Sequence, residues 1–173
     1  MKKLLILFLT LTGFSIAFSS HAAFTVRFDH PENYNDLSLS GSSTPGIQDE
    51  LMKQLEAYFK VLANRYLSKD ESMEIVVLDI DMAGGYEPWQ TPNLTNTRIM
   101  RDVYPPKFSL HYIWRDPSGK IKADHQETVS DLNYLMLLDS KQFQTNDPLR
   151  YEKAMLERWF RDRFSATTQS TPP

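Results

Sequence analysis

The chain has 173 residues, 24% of them charged, a formal net charge of −3 and no cysteine. Without cysteine there can be no disulfide, thiolate metal site, cysteine nucleophile or lipid-anchoring thiol. No basic stripe is present, which argues against a nucleic-acid partner, and an aromatic content of 12% argues for a packed core over disorder.

Lys2 and Lys3 precede an uncharged apolar run, Leu4 to Phe18, after which Ser20, His21 and Ala22 offer small residues for a signal peptidase. That order predicts a signal peptide over residues 1–22. The run is shorter than the about 20 residues that a bilayer span requires. Cleavage after Ala22 leaves one domain, residues 23–165, and a Ser/Thr/Pro-rich tail, 166–173, expected to fray. The two lysines leave with the signal, so the formal charge moves from −3 to −5. The expected location is the periplasm or the exterior, with no membrane span after cleavage. Stability there must come from packing alone.

Phe24, Val26 and Phe28 alternate with polar residues, the period of a half-buried strand. Thr44 and Pro45 read as the N-cap and first residue of a helix. Its core stripe is Ile47, Leu51, Leu55, Tyr58, Leu62 and Tyr66, widened by Phe59. Glu74 to Met82 is the next strand. Strict alternation places Val76, Leu78 and Ile80 on one face, and Ile75, Val77, Asp79 and Asp81 on the other. A loop rich in Gly and Pro follows, with a short strand predicted over 98–103.

Phe108, Leu110, Tyr112 and Trp114 alternate with Ser109, His111, Ile113 and Arg115. Asp116-Pro117-Ser118-Gly119 then carries Pro and Gly where a type I turn wants them. The hairpin returns over 120–129, with 115 opposite 120. The last helix is predicted to open at Asp147 as N-cap with Pro148 following, and to bury Met155, Leu156, Trp159, Phe160 and Phe164. The order β-α-β-β-β-α predicts an α+β domain: a sheet of about four strands, mostly antiparallel, with two helices on one face. The first two strands are expected to be parallel neighbours.

Two polar groups carry possible chemistry. Asp79 and Asp81, about 7 Å apart along one strand face, could hold a divalent cation or act as acid and base, with Glu87 and Asp102 as further oxygen donors. The structural alternative is that Arg98 and Arg101 pair with these acids and brace the loop. His111 is expected opposite Asp124, which is how a general base is oriented. Ser109 shares that face, but no nucleophile motif surrounds it, so a cross-strand polar pair is the other reading. The histidines lack metal-ligand spacing and no phosphate or dinucleotide motif occurs, so no cofactor and no metal are predicted. Tyr86, Trp89 and Tyr104 fall in the loop beside Glu87, Arg98 and Arg101. Loop aromatics of this kind either anchor a ligand or cap the core.

Several separated segments carry a resemblance: Val77-Leu78-Asp79-Ile80-Asp81-Met82-Ala83-Gly84, Glu87-Pro88, Arg98 through Pro106, Ser130-Asp131, and Tyr151 through Leu156 with Trp159-Phe160. Together they are similar to the domain of unknown function 3016 family of exported bacterial proteins. The resemblance implies a Gram-negative source and a periplasmic destination, and no catalytic residue. Two functions remain open. One is a non-catalytic envelope module that binds a protein or glycan through the loop from Ala83 to Pro106, using Tyr86, Glu87, Trp89, Arg98, Arg101 and Tyr104. The other is a hydrolase or metal-dependent enzyme centred on Asp79, Asp81 and His111, with Asp102 and Asp124 nearby.

Overall fold

The computed structural model describes residues 24–40, 44–89 and 95–165. The predicted signal peptide and C-terminal tail lie outside the described residues. The elements run β1 (Phe24–Phe28), α1 (Pro45–Tyr66), β2 (Ser72–Asp81), β3 (Lys107–Arg115), β4 (Ile121–Ser130) and α2 (Arg150–Phe164). The sheet order is β1-β2-β3-β4; β1 and β2 are parallel and the other pairs antiparallel. The expected α+β class and element order are present.

The helices cover one face of this sheet. Leu51, Leu55, Phe59 and Leu62 of α1 join Met73, Ile75 and Val77 of β2, Phe108, Leu110, Tyr112 and Trp114 of β3, and Leu156, Phe160 and Phe164 of α2 in a single buried cluster. Ile47, Tyr58 and Tyr66 line its margin, half-buried. Phe164 is the hinge of the aromatic packing: Tyr112, Trp114 and Trp159 meet it edge-on with ring centroids 5.3, 5.3 and 5.1 Å away. Burying one such ring contributes about 2–3 kcal/mol, and each edge-to-face pair about 0.5–1.5 kcal/mol more.

Strict alternation fails in β2. Val77 lies opposite Leu110 but Asp79 lies opposite Ser109, so Leu78 is an extra residue. This β-bulge reverses the facing of everything after it. Ile80 is buried on the helix side with Ile75 and Val77, while Asp79 and Asp81 turn to the open face. The expectation that both acids share a face with Ile75 and Val77 is therefore corrected.

The β3–β4 hairpin forms where predicted. Gly119 N–H donates to the Asp116 carbonyl at 2.9 Å, and Gly119 takes φ +85°, where a Cβ is disfavoured. Asp116 Oδ1 accepts from the Ser118 hydroxyl and from the backbone N–H groups of Ser118 and Lys120. A second irregularity between Trp114 and Arg115 shifts the register: Arg115 faces Ile121, and His111 faces Gln126. The last helix starts at Arg150, later than predicted, and Asp147 caps the turn before it by accepting the Leu149 N–H at 2.9 Å. Helix boundaries shift by such margins when a turn leads into the first turn.

Candidate functional site

The loop of interest leaves β2 through Met82 and Ala83, which are buried. Gly84 then takes φ +80°, and a Cβ there would sit 2.8 Å from Met100 Sδ and 2.9 Å from the Ile99 carbonyl oxygen. Gly85 and Ile99 exchange two backbone hydrogen bonds of 2.9 and 2.8 Å. That single bridge replaces the short strand predicted over 98–103. Beyond it Pro105 and Pro106 have no N–H to extend a ladder.

Arg98 occupies the centre of the loop with its side chain 10% exposed. Its guanidinium donates to the carbonyls of Ala83, Gly84 and Ser38, and to Asp36 Oδ1. It also pairs with Asp36 Oδ2 at 2.8 Å and lies over the Tyr86 ring at 4.7 Å. Burial opposes the charge on Arg98, but Asp36 more than offsets it and the pKa is raised. Asp36 itself is fixed by backbone bonds to the end of β2, donating to Ile80 and accepting from Met82. Arg98 thus clamps the β1–α1 connection to the β2–β3 loop.

Glu87 forms the second clamp. It is 2% exposed, pairs with Arg101 at 2.8 Å and accepts the Tyr104 hydroxyl at 3.1 Å. That hydrogen bond is the largest influence raising the Tyr104 pKa. The structure thus brings Tyr86 with Arg98, and Glu87 with Arg101 and Tyr104. It leaves Trp89 outside both clamps, 69% exposed.

The arginines do not brace the strand acids. Asp79 instead accepts both the backbone N–H and the side-chain amide of Asn35, and Asp81 pairs with Lys107 at 2.9 Å. The bulge at Leu78 explains this, because it aims both acids at the open sheet face while Arg98 and Arg101 lie beyond the strand end. His111 Nε2 meets Asp124 Oδ1 at 2.8 Å on that same face, diagonally rather than directly opposite. Ser109 lies 3.4 Å from the Thr128 hydroxyl. Asp102 is exposed in the turn before Tyr104 and off this face. The open face therefore holds Asp79, Asp81, Ser109, His111 and Asp124 in separate short-range pairs. A groove of about 460 Å³ elsewhere, between β4 and α2, is lined by Glu127 to Ser130, Met155, Arg158 and Trp159 and contains none of them. Among the described residues no three carboxylate or imidazole side chains gather in a way that could hold a metal ion.

The segment 132–138 escaped sequence reasoning. It exposes Leu132, Met136 and Leu138 by 72%, 81% and 66%, with Leu135 and Leu137 partly exposed. It sits at the same sheet end as the loop, because Lys107, which opens β3, pairs with Asp81 and with Ser130. The Tyr134 hydroxyl fastens it there by donating to the Arg101 carbonyl at 2.7 Å. Below lies a small second core of Ala83, Tyr134 and Tyr151. Met100 and Val103 also expose apolar surface on the loop side. The sequence signal was the near-continuous apolar run from Leu132 to Leu138, which has the period of neither helix nor strand.

A family described as a protein of unknown function, DUF3016, matches residues 22–162. The chain belongs to that family. No curated protein and no solved structure matches it. The DUF3016 match begins at Ala22 and runs into α2, so both clamps, the open sheet face and the apolar shelf fall within it. No helix among the described residues is long and apolar enough to cross a membrane.

Proposed function

We propose that this DUF3016 chain is exported, cleaved after Ala22, and serves in the bacterial envelope as a non-catalytic module that docks a protein partner. The single observation that carries this reading is the apolar shelf at one sheet end. Trp89, Met100 and Val103 project from the β2–β3 loop, and Leu132, Leu135, Met136 and Leu138 from the following segment. Large apolar side chains in such number on one end of a small domain mark an interaction surface. The two clamps hold the loop side of the shelf without using its exposed apolar side chains, so the surface is pre-shaped for docking. Loops carried on a rigid sheet end are the usual place for such contacts.

A protein partner suits the shelf better than a glycan, because aliphatic Leu, Met and Val dominate it and, among the described residues, Trp89 is the one exposed aromatic ring there. The test is capture from an envelope extract by the mature chain, compared with Trp89→Asp and Met136→Asp, each checked for folding by circular dichroism. Both variants are expected to lose the partner. Retention at full affinity by both overturns the reading. The mass of chain recovered from a periplasmic fraction tests export separately, and a species beginning at Met1 removes that part.

A further inference from the structure

Beneath the shelf lies a carboxyl group with no solvent exposure, Glu152 in the first turn of α2. Its Oε1 accepts the Ala83 N–H at 2.7 Å. Its Oε2 is buried without a hydrogen-bond partner among the described residues. Buried polar atoms without partners are rare in folded proteins and call for an explanation. The location supplies one. Ala83 is the point where β2 passes into the loop, and it packs with Tyr134 and Tyr151 in the small second core, whose rings meet edge-on at 4.9 Å. Glu152 thus sits where α2, the loop and the segment 132–138 join.

We propose that Glu152 is a proton-operated latch under the apolar shelf: uncharged, it lets α2, Ala83 and Tyr134 pack as one body, and ionised, it favours their separation. This regulatory role rests on the shelf being the docking surface. The latch itself is a property of the free chain.

The groups acting on Glu152 come from each side of the junction. Burial is the strongest influence and pushes the carboxyl up to about 7; the Ala83 N–H and Arg98 pull it down, and Asp147 pushes it up. Arg98 is already engaged with Asp36, and Asp147 with Lys153 at 2.6 Å. Burial pushes the Tyr134 hydroxyl up to about 12, so it keeps its proton throughout. Once the junction opens, Glu152 meets water and returns towards the ordinary glutamate value of 4.5. Opening therefore releases a proton between these limits. The opening equilibrium should rise roughly tenfold per pH unit from about 5 to 7 and level off above.

Hydrogen exchange at the Ala83 amide, corrected for the intrinsic pH dependence of exchange, reads this equilibrium without any partner. The wild-type chain is expected to show the tenfold-per-unit rise, and Glu152→Gln a flat profile. A flat wild-type profile, or the same slope in the variant, overturns the latch. Should the variant not fold, a carbon-13 titration of the Glu152 carboxyl in the wild-type chain decides: a midpoint near 7 supports the proposal and one near 4.5 removes it. Loss of shelf binding in the capture experiment leaves this measurement unaffected, so the two ideas fail independently.

Discussion

The Tyr134 hydroxyl donates to the Arg101 carbonyl oxygen at 2.7 Å and so joins two segments that are 33 residues apart in sequence. Tyr134→Phe removes the bond and strands a carbonyl, which is expected to cost about 1–2 kcal/mol. Denaturant unfolding measures the loss, and an unchanged midpoint would show that water replaces the hydroxyl at no cost.

Arg98 is expected to be the most sensitive side chain of the loop. It serves three carbonyls and pairs with Asp36 while almost fully buried. Arg98→Ala leaves Asp36 without its cation, a change of about 3–5 kcal/mol for a buried pair. Arg98→Lys should recover only part, since an ammonium cannot span the same fork of acceptors. Equal stability of the Ala and Lys variants would deny the fork its role.

Gly84→Ala combines a positive φ with a collision against the Ile99 backbone oxygen. Destabilisation beyond about 1 kcal/mol is expected, with faster hydrogen exchange at Gly85 and Ile99. A neutral effect on both would mean that the loop relaxes around the methyl group.

His111 and Asp124 form a hydrogen-bonded pair whose side chains are 35% and 50% exposed. Asp124→Asn and His111→Ala are each expected to change stability by less than about 1 kcal/mol, as solvated pairs do. A larger loss in thermal unfolding would assign the open face a structural task that its exposure does not suggest.

Stability should also carry the signature of Glu152. Burial lifts its folded pKa to about 7, above the ordinary glutamate value of 4.5. Between those limits the folded chain keeps a proton that the unfolded chain has released, so stability falls as pH rises through this window and levels off above it. The separation is worth roughly 3 kcal/mol. Subtracting the pH profile of Glu152→Gln from that of the wild type isolates this contribution, and a difference that grows with rising pH would contradict it.

The sequence made the hairpin legible because Phe108, Leu110, Tyr112 and Trp114 recur at every second position and Asp116 to Gly119 have one good turn geometry. It made both helices legible through stripes such as Leu51, Leu55 and Phe59. Register was harder. The bulge at Leu78 is invisible because Ile75, Val76, Val77 and Leu78 are all apolar, so either facing satisfies the pattern. Arg115 pairs with Ile121 instead of Lys120, and the irregularity beside it adds one more residue, so the partner of His111 moves by two in all. The clamps were beyond reach for another reason. Arg98 was expected to meet the acids of β2, yet its partner Asp36 lies 62 residues earlier. Charge type alone could not choose between Asp36, Asp79 and Asp81. The shelf went unseen because an apolar run normally announces burial, and here it does not.

Leu78 makes β2 two half-strands out of phase, joined by one surplus residue. Deleting that residue would close Val77 onto Asp79 in ordinary alternation, with Asp79 and Asp81 still on the open face and Ile80 still beneath the helices. The middle of this strand can therefore lose one residue without exchanging its two faces. Added residues are better borne at Asp116–Gly119, where the chain reverses in solvent.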